Sequence, residues 1–364
     1  MKNKIMVNWW KINISNKINQ LQLLNSFKQK MISEGIVTRK LEEQISKTLK
    51  VKYVSMVNSG SVALLISMMA CDLKENDEII IPNCGWISPI HAAIFLKLRI
   101  KLIDVEKDKP LMNLDVLKKV ISSKTKAIVP VHLNGMAVDI KKIKSIIKKK
   151  KIYIIEDSAQ ALFSKNKNFF LGTEGDIGCY SFSVSKIVTT GQGGFCCTNR
   201  KKIYEKIKLI KTHGMKNVFY SKWNSFGFNF KFNDTLSSLA FNQIKNYRAT
   251  VKKLLSLHKL YSTIINNKKI KFLTADLKKG EVPIYNQVIT KNPKRFISFL
   301  KQRKIESRPW YKNFHNGINY YKRMNKLKKN KLNSRYFENI VVLPSGPDQK
   351  ARDIKKIANL INKY

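Results

Sequence analysis

A chain of 364 residues with 43% hydrophobic and 10% aromatic content carries enough apolar material for a large core, most naturally divided into two lobes. Seventy Lys and Arg against 24 Asp and Glu give a formal charge of +46, which alone points to nucleic acid or another anionic surface. The basic residues, however, are nearly all Lys and are spread along the chain among abundant Asn and Ile, the texture of a solvated surface.

In chain order, the basic N-terminus (MKNKIMVNWWKIN) has no sustained apolar stretch and no small-residue cleavage site, so no signal peptide is expected. A helical pattern covers 18–32, then Gly35 precedes a second helix at 38–49. Apolar runs at 78–81, 101–105, 127–132, 152–155, 177–182 and 194–197 read as buried strands, with helical stretches at 61–72, 113–121, 140–149 and 201–211. No run reaches the roughly 18 apolar residues that a membrane helix needs. The lysine runs at 148–151 and 326–331 fall where helix ends or loops are expected. Five cysteines, Cys196 and Cys197 adjacent, make neither a metal-ligand spacing nor a disulfide framework, and a cytoplasmic location is the default. From about 246 the texture changes: a long helix at 247–267, strands at 270–273 and 285–289, and helices at 293–303 and 351–363. Repeated β-α units predict an α/β large domain over residues 1–245, its mostly parallel sheet sandwiched by helices, and a smaller α+β domain over 246–364.

One stretch concentrates the chemistry. An acid, Asp157, closes the apolar strand at 152–155, and Lys186 follows the strand that ends in Ser181-Phe182-Ser183. In open α/β sheets ligands sit at the carboxyl edge of the strands. An amine and a carboxylate in one cleft suit pyridoxal phosphate, which needs a lysine for its Schiff base and an acid to keep its pyridinium nitrogen protonated. Three blocks, Glu156-Asp157-Ser158-Ala159-Gln160, Tyr180-Ser181-Phe182-Ser183-Val184-Ser185-Lys186 and Thr189-Thr190-Gly191-Gln192-Gly193-Gly194, then resemble the DegT/StrS-type sugar aminotransferases, fold-type I pyridoxal-phosphate enzymes. Gly35 to Glu43 and Leu343-Pro344-Ser345 are similar to that family's entry and ending, so the resemblance spans nearly the whole chain.

The resemblance implies residue roles. Ser59-Gly60-Ser61, before the apolar helix, matches the family's phosphate-binding S-G-T, so Gly60 and Ser61 contact the cofactor phosphate, as the N–H groups of a helix N-terminus allow. Trp86 stands where the family stacks an aromatic on the cofactor ring. Asp157 pairs with the pyridine nitrogen, Gln160 lies near the phenolic oxygen, and Ser181 binds phosphate. Lys186 forms the Schiff base and shuttles the proton. A dehydratase branch has His at that position, so Lys186 favours transamination. Gly227-Phe228-Asn229-Phe230-Lys231 resembles G-x-N-x-R, in which the Asn reaches a neighbouring subunit's site, implying a homodimer with shared active sites. Ser183, Gln192 and Lys231 depart from the usual residues. His132, His213 and His315 are read as structural.

The resemblance thus implies transfer of an amino group, from glutamate, to a keto group of a nucleotide-linked deoxysugar. The T-T-G-x-G-G form is that of the branch acting on 4-keto-6-deoxy sugars, as in perosamine synthesis, and the product feeds polysaccharide or glycan synthesis. A 3-keto-sugar aminotransferase or a pyridoxal-phosphate sugar dehydratase is the alternative enzyme. A non-catalytic basic protein binding nucleic acid or membrane on the same fold is the alternative of another class. Lys186, Asp157 and Ser181, all present, count against it, and neither nucleic acid nor membrane is an expected partner.

Overall fold

Short apolar runs separated by amphipathic stretches impose a β-α order, and the computed structural model describes residues 7–12, 17–28, 32–148, 150–216, 223–327 and 332–364. Helices α1 (Lys17–Lys28) and α2 (Ile36–Leu49) lead into β1 (Tyr53–Val57) and α3 (Gly60–Ala70). Then β2 (Glu78–Pro82), α4 (Ser88–Phe95), β3 (Arg99–Ile103), α5 (Leu114–Val120), β4 (Thr125–Ile128), α6 (Ile140–Ile147) and β5 (Tyr153–Asp157) alternate. A small hairpin, β6 (Lys165–Asn166) and β7 (Phe169–Phe170), precedes β8 (Ile177–Ser181), β9 (Gly194–Thr198), α7 (Lys201–Lys211) and α8 (Asp234–Lys245).

Seven strands form one sheet in the order β1-β9-β8-β5-β4-β2-β3. From β8 to β3 every pairing is parallel, and β9 runs antiparallel to both of its neighbours. Side chains alternate across this sheet, as the pleat requires. Ile80, Ile128 and Ile154 join a core with Leu41 and Ile45 of α2, Leu117 of α5 and Ile143 of α6. Ile79, Ile81, Ala127 and Ile155 face the other way, against Ile66 of α3, Ile90 of α4 and Ile207 of α7. Burial of each such aliphatic side chain stabilises the fold by about 1.5–3 kcal/mol. The result is the expected α/β architecture, a mostly parallel sheet between two helical layers.

Asp234 explains the entry motif. Its carboxylate accepts the N–H groups of Gly35, Val37 and Thr38 and the Thr38 hydroxyl (2.6 Å), so a side chain distant in sequence satisfies the open first turn of α2. Some boundaries differ from the expectation. β3 begins two residues before the apolar run at 101–105, and β4 stops at Ile128 because Pro130 has no N–H for the ladder. β1, α4 and α8 have no counterpart in the sequence reading. The first expected helix is seen as α1; residues 29–31, and positions 149 and 328–331 of the lysine runs, lie outside the described residues.

The second sheet follows α9 (Tyr247–Ile264). Its elements are β10 (Ile270–Phe272), β11 (Asn286–Thr290), α10 (Pro293–Gln302), β12 (Arg308–Pro309), α11 (Phe314–Gly317), α12 (Ser334–Phe337), β13 (Ile340–Leu343) and α13 (Ala351–Asn362). Its four strands are antiparallel, in the order β10-β11-β13-β12. Leu257 and Tyr261 of α9, Phe296 and Leu300 of α10, and Ile354 and Ile361 of α13 fill its core. Contacts cross position 245 in both directions: Val7 and Trp10 pair with Ile305 and Ser345, while Phe314 and Ile318 join the core beneath α3 and α4. This interlocking carries Tyr285 and Tyr311 to the edge of the larger sheet. Among the described residues, no helix is long and apolar enough to cross a membrane.

Candidate active site

The carboxyl ends of β5 and β8, the first turn of α3 and the loop after β2 converge on a cavity of about 290 Å³. Gly60, Ser61, Trp86, Asp157, Gln160, Ser181 and Lys186 all line it, seven of the eight expected site residues. Asn229 does not; it is exposed, and its backbone pairs with Thr212 instead.

Helix α3 begins against β8. Ser59 caps it, its Oγ accepting the Val62 N–H at 3.2 Å, while Ser61 Oγ bonds Ser88 Oγ at 2.7 Å. The turn sits so close to β8 that a Cβ on Gly60 would lie 2.8 Å from the Ser181 Cβ and 3.2 Å from its Oγ. Backbone on both sides of this contact cannot easily yield. Gly60→Ala is therefore expected to cost about 1–3 kcal/mol of stability through overpacking. Urea unfolding checks this as a lowered midpoint at unchanged slope; an unmoved midpoint would mean that the turn shifts freely.

Asp157 and Lys186 share the cavity without forming an ion pair among the described contacts. Burial raises the Asp157 carboxyl above its usual value, against the lowering effect of the Ala159 N–H and the Lys186 amine. Burial also pushes the Lys186 amine down to about 8, Asp157 opposing it. Each group is thus displaced toward its neutral form by the same dry surroundings. A neutral amine is a nucleophile and a base, and a buried carboxylate is short of a cation.

Behind them the wall is built from satisfied polar groups. His132 Nδ1 accepts the Val138 N–H (3.2 Å), which leaves the proton on Nε2 to be donated to Glu156 Oε2 at 2.8 Å. Glu156 also accepts the N–H groups of Gly172, Glu174 and Gly175, so it pins the turn before β8. His132 is structural, as the sequence reading has it, and holds β5 through its N–H to the Asp157 carbonyl (2.9 Å). Gln160 Oε1 accepts the Asn134 N–H at 2.9 Å, and its Nε2 donates to the Tyr311 hydroxyl at 3.4 Å. Trp86, 55% exposed, meets the Tyr311 ring edge-on at 5.3 Å between centroids.

The loop carrying Lys186 closes on the glycine block. Phe182 anchors it at both ends of its peptide, its N–H donating to the Gly193 carbonyl and its carbonyl accepting the Thr190 N–H. Gly191 and Gly193 have φ of +79° and +140°, which L side chains rarely adopt. Gln192, between them, is exposed and lines the cavity. Tyr285 and Tyr311 were not anticipated as site residues. Both lie beside strands of the second sheet, and no local motif marks either one.

Residues 14–362 match the DegT/DnrJ/EryC1/StrS aminotransferase family. The GDP-perosamine synthase of Escherichia coli O157:H7 is 29% identical over 236 residues, 65% of each chain, so the match spans just under two thirds of that enzyme's length. The GDP-perosamine synthase of Vibrio cholerae is 23% identical over 344 residues, covering 91% of this chain and 92% of the other. Among solved structures, an Escherichia coli GDP-4-keto-6-deoxy-D-mannose-3-dehydratase with bound hydrated PLP superposes with a TM-score of 0.90 at 21% identity. It covers 98% of this chain and 100% of that one, and the likeness is one of fold.

Proposed function

The chain belongs to the DegT/DnrJ/EryC1/StrS aminotransferase family, and from that premise we propose a pyridoxal-phosphate-dependent aminotransferase of nucleotide-linked deoxysugars. It acts on a 4-keto-6-deoxyhexose, with glutamate as amino donor, in the cytoplasm, for polysaccharide or glycan synthesis. The observation that carries the reading is the placing of Lys186 and Asp157 on one cavity beside the open first turn of α3.

These residues fit the cofactor. With Ser59 Oγ engaged by Val62, the N–H groups of Gly60 and Ser61 are left for a phosphate, and Ser181 Oγ stands against the same turn. When bound, pyridoxal phosphate supplies a ring that takes up the electron pair freed at the donor's α-carbon. Asp157 would hold a proton at the cofactor's ring nitrogen, and that cation would relieve the cost of burying the carboxylate. Trp86 would pack against the bound ring. Lys186 Nζ, displaced toward neutrality, would take the proton from the donor's α-carbon and pass it to the cofactor, and in the second half-reaction would move a proton from the cofactor to the sugar carbon that gains the amine.

We read the protein as a homodimer of two-lobed subunits, 1–245 and 246–364, with Tyr285 and Tyr311 closing the cavity from the smaller lobe. The exposed Asn229 supports a role in a second copy's site. Lys186→Ala and Asn229→Ala proteins, each depleted in activity, are then expected to recover about a quarter of wild-type activity when mixed as subunits, because random pairing leaves one intact site per heterodimer. No recovery would place Asn229 in its own chain's chemistry or in none.

The test of the function is direct. Loaded with pyridoxal phosphate, the protein should lose its visible absorbance on adding glutamate and regain it only with a 4-keto-6-deoxy nucleotide sugar. Absorbance that glutamate leaves unchanged would remove glutamate as donor. Recovery with a 3-keto sugar instead would reassign the ring position.

A further inference from the structure

Ser185, the residue before the cavity lysine, is held from the other lobe. Tyr285, at the mouth of β11, places its hydroxyl 2.9 Å from Ser185 Oγ and 3.3 Å from the Ser185 carbonyl oxygen. The pair closes into a small ring: the phenol donates to the carbonyl, and the serine hydroxyl donates to the phenol. Burial pushes the Tyr285 phenol up to about 12, so it remains a donor throughout the working pH range.

Everything behind that hydroxyl is rigid. The Tyr285 N–H donates to Asn134 Oδ1 at 2.8 Å and its carbonyl accepts from Asn134 Nδ2 at 3.0 Å. The Asn134 N–H is in turn bound to Gln160 in the cavity wall. The ring is wedged among Trp9, Trp10 and Trp310, at 6.0, 5.7 and 6.2 Å between centroids. By contrast the loop it touches is lightly held. Beyond the bridge between Ser183 and Gly191, its bonds are the Ser183 N–H to Ser181 Oγ (3.3 Å) and the Lys186 N–H to the Ser183 carbonyl (3.1 Å), and Val184 is 56% exposed.

We propose that Tyr285 is the positioning residue for Lys186, acting through Ser185 to fix the loop that carries the amine and to keep water from it. The contact joins the two lobes at the residue before the nucleophile, so their relative placing is transmitted to the amine. The charge that acts on Lys186 is Asp157, from β5; the other titratable groups on the cavity are the phenols of Tyr285 and Tyr311, both raised by burial. With the phenol removed, the loop loosens, the amine is hydrated, and its pKa climbs back toward that of an ordinary lysine. The role in catalysis rests on the transaminase reading; the effect on the amine does not.

Competitive acetylation across pH, read by peptide mass spectrometry, reports the pKa of Lys186 in the protein without cofactor. Tyr285→Phe and Ser185→Ala should each raise it by about one unit, about an eightfold loss of neutral amine at pH 7.5. The double variant should be no worse than either single one, and Ser185→Thr, which keeps the hydroxyl, should behave as wild type. Binding of a pyridoxal phosphate analogue lacking the aldehyde should be unchanged, since it needs no lysine. A Tyr285→Phe protein with the wild-type labelling midpoint overturns the proposal. So does equal weakening of the aldehyde-free analogue, which would make Tyr285 a general support of the cavity. If the labelling midpoint moves while wild type takes up no pyridoxal phosphate at Lys186, the positioning stands and the transaminase reading falls.

Discussion

Lys186→Ala is expected to abolish the visible absorbance of pyridoxal phosphate on the protein and to lower turnover by at least about 10⁴-fold, since it removes both a nucleophile and a general base. Lysine is abundant in this chain, yet Lys186 is distinguished by burial, which brings its amine down to about 8. At pH 7.5 a group with that pKa is neutral for about a quarter of the time, against about a thousandth for an exposed lysine. The sign gives a second readout. Because the charged form is the one that burial disfavours, cofactor uptake should rise about tenfold per unit below pH 8 and level off above it. Uptake still rising up to pH 10 would mean that the amine is hydrated. A Lys186→Ala protein that keeps the absorbance would move the nucleophile to another lysine and undo the site assignment.

Lys186, Asp157 and Ser181 were legible in the sequence because two of the three blocks that carry the family resemblance contain them, Asp157 at the end of β5, Ser181 at the end of β8 and Lys186 in the loop that follows. The helix at Lys201–Lys211 was legible in full, its apolar residues recurring at helical spacing. β1, α4 and α8 were not, for different reasons. β1 (YVSMV) is five residues with a serine on its buried face, and α4 begins in a Ser-Pro that reads as a turn. α8 is fixed by Asp234, whose carboxylate serves the N-terminus of α2, a long-range role that no local pattern expresses. The direction of β9 was also hidden, since apolar content does not distinguish parallel from antiparallel neighbours once both faces are buried. Tyr285 and Tyr311 illustrate the same limit at the site. Tyr285 reaches Ser185 across a hundred residues, and Tyr311 reaches Gln160 across 151, through a crossing of the lobes that periodicity does not encode. The net charge, the most conspicuous feature of the composition, said nothing of where the chemistry lies.

Asp157→Asn is expected to leave the cavity intact and to cost about 10²–10⁴-fold in turnover, the usual range for losing a group that controls a proton in the reacting system. The exchange keeps shape and hydrogen-bonding reach, so the Ala159 N–H can still find an oxygen. What it removes is charge. In wild type the carboxylate, raised by burial, gains most from a cation placed against it, and under the proposed function a protonated ring nitrogen would be that cation. Asparagine offers no such return, so the nitrogen is left neutral and the ring becomes a poorer store for the electrons from the α-carbon. The same substitution removes the negative charge that opposes the lowering of Lys186, so the amine should titrate below its wild-type value of about 8. Two readouts therefore separate: steady-state turnover and cofactor affinity fall with the lost pairing, while the pH midpoint of cofactor uptake moves down with the Lys186 amine. If turnover fell with that midpoint unmoved, Asp157 would be supporting the fold of the cavity. If neither changed, the pyridine nitrogen would be facing another wall.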